Sequence, residues 1–214
     1  MTVARRSARE QRIQTLNQIR HLVFTAPEPI RQRFLGRYQK GLVTELASLR
    51  PRKNSNDAVS YVTLTTLRDL ARRIRTLDAE SNRIRSALHD LVSAVAPSML
   101  TIHGLAAEGA AVLLVAAGDN PQRLRSEPAW AHLCGVAPIP ASSGRTIRHR
   151  LNRGGNRQAN SVLYRIVITR MSSDPRTGTY VARRREEGRT TGEIVRMLKR
   201  YVAREVYKQL PRPI

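Results

Sequence analysis

The chain has one cysteine, Cys134, in 214 residues, so it can form neither an internal disulfide nor a cysteine-based zinc site. Cys134 stands between Leu133 and Gly135 in an apolar run and reads as a packed core thiol. Aromatic residues are scarce, with one Trp, two Phe and six Tyr, so stacking on bases is not expected to dominate any nucleic-acid binding. No stretch approaches the roughly 20 apolar residues of a membrane span. The start, Met1-Thr-Val-Ala-Arg-Arg-Ser7, has no apolar segment behind its charges and is not a secretory signal. A soluble, cytoplasmic protein is expected. Acidic residues are few as well, 16 in all. They are scattered, with no Asp-x-Asp pair, so the sequence offers no carboxylate cluster suited to Mg²⁺. His21, His89, His103, His132 and His149 lack His-x-x-x-His or His-x-Glu spacing, and no zinc site is expected.

Lysine is also rare, limited to Lys40, Lys53, Lys199 and Lys208, and the other 34 of the 38 basic residues are arginine. Net charge is +22, with a pI near 11.6. A field of that sign favours a polyanion, most commonly nucleic acid. The planar guanidinium fork suits phosphate oxygens, which it holds through two parallel hydrogen bonds. An arginine-biased genome would explain arginine in place of lysine, but not the surplus of positive charge.

The periodicity is that of a mainly all-α chain. Residues 4–24 carry Ile13, Leu16, Ile19, Leu22 and Val23 at helical steps, and the pattern stops before Ala26-Pro-Glu-Pro29. A second helix is expected from about Glu28 to Leu49, closing a helical linker region, 1–56. Leu67, Leu70, Ile74, Leu77, Ser81, Ile84, Leu88, Leu91 and Val95 alternate steps of three and four, the pattern of a coiled-coil helix over 57–97. Its partner is either the preceding helices folded back or the same helix of a second copy, and a homo-oligomer through this seam is the favoured expectation. A compact helical domain, 98–214, follows. Its first turn resembles a helix-hairpin-helix, with Gly104 in the first glycine position and Ala106 where the second would stand. An ordinary αα-turn and a phosphate-contacting one are both open there. Short helices are expected around 128–133 and 156–171, then one opened by Ser173-Asp174-Pro175. The capping box Thr190-Thr-Gly-Glu193 starts the last helix, which Pro211 ends. A β-hairpin around 136–150 is open but carried by no alternating pattern.

The chemistry concentrates in Pro138–Arg157. Ser142-Ser143-Gly144 is followed by Arg145, Arg148, Arg150, Arg153 and Arg157, with the pair Gly154-Gly155 before a helix. Neither serine has the Gly-x-Ser-x-Gly context of acyl chemistry. Serine attack on a phosphodiester asks mainly for positive charge at the phosphorus, which these arginines supply. From residue types alone, a solvated basic loop and a phosphate site both remain open.

Leu133-Cys-Gly-Val-Ala-Pro138, Ser143-Gly144, Arg153-Gly-Gly-Asn-Arg157 and an Ala-Asn-x-x-Leu helix together resemble the carboxy-terminal domain of the IS-one-ten family of insertion-sequence transposases, DEDD recombinases guided by a bridge RNA. Gly118-Asp-Asn-Pro-Gln-Arg-Leu-Arg-Ser-Glu127 and Leu198-Lys-Arg-Tyr-Val-Ala-Arg-Glu-Val-Tyr207 fit as well, as do Thr15-Leu-Asn-Gln-Ile-Arg20 and Thr25-Ala-Pro27, so the resemblance covers nearly all 214 residues. It implies DNA transposition, with Ser143 as the nucleophile that bonds to DNA phosphate and Ser142 as the adjacent alternative. The basic residues and Gly104 would then face nucleic acid, and the implied partners are DNA and a structured guide RNA. In that family Mg²⁺ is held by four acids of an amino-terminal RuvC-like domain, to which no acid of this chain corresponds. The expectation is therefore a truncated, nucleoid-associated bacterial transposase that holds no cofactor itself and is inactive without the RuvC-like part. The competing reading is a non-catalytic, nucleic-acid-binding, oligomerising remnant that interferes with intact copies.

Overall fold

A computed structural model describes residues 1–37, 39–53, 57–118, 124–140, 149–150, 152 and 154–211. The protein is mainly α-helical, as its periodicity predicts. It divides into two compact units, Met1–Ala87 and Leu88–Ile214, with the boundary inside one long helix. No described helix is long and apolar enough to cross a membrane.

In the first unit, α1 (Thr2–Thr25) ends where Ala26 turns extended ahead of Pro27, which caps α2 (Glu28–Phe34). The single helix expected from Glu28 to Leu49 is two: α3 (Gln39–Ser48) starts afresh after an interruption. Leu35 is extended and Gly36 takes φ 76°, a left-handed conformation that ends the ladder of hydrogen bonds. The apolar spacing runs through this break and hid it. The long helix α4 (Ala58–Val95) then adds Leu67, Ala71 and Ile74 to a core built from Leu16, Ile19 and Val23 of α1, Ile30 and Phe34 of α2, and Leu42 and Leu46 of α3. Each such side chain, fully buried, contributes about 1.5–3 kcal/mol. Arg12 Nε donates to Asp78 at 2.6 Å and Arg72 Nε to the Ala47 carbonyl at 3.3 Å, tying α4 to α1 and α3. The early part of the heptad seam thus packs on the preceding helices, while Leu91 and Val95 at its end are exposed.

In the second unit, Ala96-Pro97 stops α4 and a 3₁₀ turn, Pro97–Thr101, leads through Gly104 to α5 (Ala107–Ala117). α5 is apolar nearly all round and is largely buried, as such a helix must be. After α6 (Glu127–Leu133) come two short strands, β1 (Ile139–Pro140) and β2 (His149–Arg150), then α7 (Arg157–Ser173), α8 (Pro175–Glu186) and α9 (Thr191–Gln209). α7 lies at the centre, packed on α5, α8 and α9. Arg170 of α7 locks it in place, with Nε donating to the His103 carbonyl (2.9 Å) and its two amino groups to the Glu205 carboxylate (2.7 and 3.0 Å). The caps expected from sequence form. Asp174 accepts from the N–H groups of Arg176 and Thr177, and Thr190 and Glu193 make both bonds of the capping box.

Candidate nucleic-acid interface

The last carbonyls of a helix have no partner within it, and something must satisfy them when the helix end is covered. At the end of α6 three asparagines four residues apart do so. Asn152 Nδ2 donates to the His132 carbonyl (3.0 Å), the Asn156 backbone N–H to Leu133 (2.6 Å), and Asn160 Nδ2 to Cys134 (2.8 Å) and Gly135 (3.2 Å). The Asn156 side chain also caps α7, accepting from the N–H groups of Gln158 and Ala159 at 3.0 Å. Gly135, at φ 66°, ends α6, and the backbones of Gly135 and Gly155 lie in direct contact. Cys134 is fully buried in this junction, which pushes its thiol up to about 12, so it is protonated at neutral pH and serves packing, as its apolar surroundings in the sequence indicate.

The junction fixes the root of a hairpin. The N–H groups of Val136 and Ala137 both donate to the Ala131 carbonyl (2.9 and 3.1 Å), turning the chain into β1. β1 and β2 pair antiparallel, Ile139 opposite Arg150 and Pro140 opposite His149. The hairpin left open by the sequence is therefore present at its base. Two proline-flanked residues give no alternation to read, which is why pattern alone could not decide it. Ser142, Ser143, Arg145, Arg148 and Arg153 lie outside the described residues.

Beside this root is a cleft of about 680 Å³ between the α6 turn, the start of the hairpin and α9. Gly135, Val136, Ala137, Pro138 and Met197 give it an apolar wall, and Arg150, Asn152, Glu193, Arg196, Lys199 and Arg200 the polar part. Arg200 is engaged with Glu127 of α6, while Glu193 is held by Thr190 in the capping box. Lys199 is half-buried, and its Nζ donates to Asn160 Oδ1 at 3.0 Å. Burial, and then repulsion from Arg196, hold the Lys199 ammonium below the usual lysine range. Among the described residues, Arg150, Arg196 and Lys199 make no ion pair with a carboxylate. The cleft therefore presents a surplus of positive charge next to an apolar surface. The Glu193 carboxylate, which Thr190 and then Arg196 help hold in its charged form, is the one acid among the described residues that line it.

Of the residues singled out in the sequence, Arg150 lines this cleft and Arg157 is exposed in the first turn of α7. Gly104 lies elsewhere. A Cβ there would sit 3.3 Å from the Ile166 carbonyl and 3.4 Å from Thr169, in the second half of α7, and its φ is 84°. Packing and backbone conformation account for that glycine without reference to a phosphate. Asn156, Asn160 and Lys199 stand in motifs that carry the resemblance, but neither they nor Asn152 and Arg196 had a site role in the sequence. The asparagines repeat at four-residue spacing, a visible signal, whereas Arg196 and Lys199 come from a helix about 40 residues on. Asn160→Ala would leave two buried carbonyls and Lys199 without their partner, and is expected to cost about 2–3 kcal/mol in urea unfolding.

The segment that carries the α6 turn and the root of the hairpin matches the family model of the IS116/IS110/IS902 transposases over residues 96–182, a match that ends before α9. Residues 96–182 are similar to the transposase domain of that family. The matched segment takes in the α6 turn, both strands, all of α7 and most of α8. A Streptomyces coelicolor protein, described as the insertion element IS110 uncharacterized 43.6 kDa protein, is 34% identical over 134 residues, 60% of this chain and 31% of its own length. The chain thus covers about a third of that relative. These matches fall in the IS-one-ten group that the motifs resemble.

Proposed function

We propose that the chain is the DNA-binding, nucleophile-bearing part of an insertion-sequence transposase acting in DNA transposition. The observation that supports this reading is the unpaired positive charge of Arg150, Arg196 and Lys199 at the root of the hairpin, beside the family-matched segment. Ser143, with Ser142 as the alternative, follows β1 in sequence by three residues and stands next to the arginine run. In the proposed step the serine hydroxyl loses its proton as Oγ bonds to phosphorus, the P–O bond to the deoxyribose breaks, and the leaving deoxyribose oxygen takes up a proton to become a hydroxyl. Arg145, Arg148, Arg150, Arg153 and Arg157 supply charge that stabilises the crowded anionic phosphorus.

The described carboxylates do not fit a Mg²⁺ site. Among the described residues, no three His, Cys, Asp or Glu side chains converge. Asp174 and Glu193 serve as helix caps, and Glu127, Glu187 and Glu205 pair with Arg200, Arg184 and Arg170. In this proposal the metal and its carboxylates belong to a RuvC-like domain supplied outside the described residues, and strand exchange depends on it. A guide RNA belongs to the same reading through the surplus of basic charge, and a second copy through the exposed Leu91 and Val95 of α4.

The test is the salt dependence of DNA binding, followed by fluorescence anisotropy of a labelled duplex. If the five arginines from 145 to 157 each neutralise one phosphate, the slope of log K against log salt contains a contribution of roughly −4 to −5 from them. Replacing all five with alanine should remove that part of the slope. A flat salt response in the unaltered chain would overturn the DNA-binding reading.

A further inference from the structure

We infer that the cleft between the α6 turn and α9 receives one unpaired nucleotide of the DNA strand, with its phosphate on Arg196 and Lys199 and its base on the wall of Val136, Pro138 and Met197. The inference rests on the DNA-binding reading and adds to it a subsite whose phosphate-binding groups come from α9, outside the serine–arginine stretch. Three features of the cleft carry it. The first is its size. A single phosphate needs only a small fraction of 680 Å³, whereas small-molecule sites fall in the range of about 300–1,000 Å³, which suits a base and sugar together with their phosphate.

The second feature is the division of its lining. Pro138 and Met197 offer flat and polarizable apolar surface, and the Met197 Sδ is held by the Tyr180 hydroxyl, which donates to it at 3.5 Å. Arg196 and Lys199, three residues apart on α9, stand together on the same helix face. The ligand that matches this lining has one anionic end and one flat apolar end.

The third feature is the state of Lys199. Among the described residues, this half-buried ammonium has a neutral amide as its hydrogen-bond partner and a guanidinium nearby. Burial and repulsion both disfavour the charge there. A phosphate would offset the repulsion and give the ammonium a charged partner. Asn160, which orients Lys199, also clamps the Cys134 and Gly135 carbonyls, so an occupant of the cleft is coupled to the root of the hairpin.

The chain contains four methionines, Met1, Met99, Met171 and Met197, so ¹³C-methyl labelling gives a small set of resonances. Met197 lines the cleft, and fully buried Met99 serves as the reference for an intact fold. The full chain is titrated with deoxyadenosine monophosphate, with adenosine monophosphate and, at matched ionic strength, with inorganic phosphate. The expected result is movement of the Met197 methyl by the aromatic ring of the deoxynucleotide, with Met99 unmoved and a much smaller response to inorganic phosphate. Apparent affinity should fall at least about fivefold in Lys199→Gln, which keeps an amide near Asn160, and in Arg196→Ala. Equal movement with inorganic phosphate would overturn the placement of the base. No movement with the deoxynucleotide, or unchanged affinity in both variants, would overturn the subsite, and a tenfold preference for the ribonucleotide would assign it to RNA and overturn the DNA assignment. Salt-dependent DNA binding with a silent Met197 would sink this inference alone and leave the DNA-binding reading standing.

Discussion

Gly155→Ala is expected to remove a large share of the second unit's stability. A Cβ on Gly155 would fall within the van der Waals envelope of the Gly135 N and Cα and 3.0 Å from the Cys134 carbonyl carbon. All three are backbone atoms, so no side chain can swing away to make room. The end of α6 and the start of α7 would have to part, which stretches the Asn156 N–H bond to Leu133 and the Asn152 and Asn160 bonds to the neighbouring carbonyls. Overpacking costs about 1–3 kcal/mol or more, and each weakened hydrogen bond about 1 kcal/mol, which together make about 3–5 kcal/mol. Against a total of about 5–15 kcal/mol, that is a large share. In a domain of this size it should lower Tm by about 10–20 °C in thermal unfolding by circular dichroism. Gly154→Ala is the control, since among the described residues a Cβ there meets nothing nearer than Asn152 Oδ1 at 3.6 Å and the Gly154 N–H bond to that oxygen survives. Its expected cost is under about 1 kcal/mol. Equal stability of both variants would show that the close approach of Gly135 and Gly155 does not hold the junction.

Ser143→Ala is expected to abolish the covalent protein–DNA adduct. The assay supplies the chain with a RuvC-like domain in trans, Mg²⁺ and labelled DNA, and reads the adduct as a band that survives denaturing electrophoresis. Arginines can stabilise negative charge at phosphorus but cannot replace an attacking oxygen, so the loss should be on the order of 10⁴–10⁶-fold, the scale seen when a nucleophile is removed. DNA affinity in anisotropy should stay within about twofold, because one hydroxyl adds little to a binding surface dominated by guanidinium groups. An adduct lost in Ser142→Ala and kept in Ser143→Ala would move the nucleophile by one residue. No adduct with both serines intact would favour the non-catalytic nucleic-acid-binding remnant over the nucleophile.

Single residues show what kind of signal each level of structure leaves. The caps at Asp174 and Thr190 were legible because a cap is made by residues two or three positions apart. The break at Leu35 and Gly36 was not, since Phe34, Leu35 and Leu42 keep a helical spacing through it while the extended backbone of Leu35 and the left-handed one of Gly36 interrupt the helix. Gly104 has the residue type of a phosphate-contacting turn, yet it is pressed against Ile166 and Thr169. Residue type alone cannot distinguish a glycine that admits a ligand from one that admits a neighbouring helix.

The stretch from Pro138 to Arg157 shows the same division. By itself the sequence determined its charge, the adjacency of its serines to arginines, and the family that its motifs resemble, because those properties reside in residue identity and order. Only the tertiary structure decided that Gly135 and Gly155 touch, that Asn152, Asn156 and Asn160 close the end of α6, and that Arg196 and Lys199 join Arg150 around one cleft. α9 folds back on α6 and α7 because its apolar face, Ile194, Leu198, Val202 and Val206, has to be buried against them. That burial carries Arg196 and Lys199 to the root of the hairpin, and no local pattern in the chain encodes it.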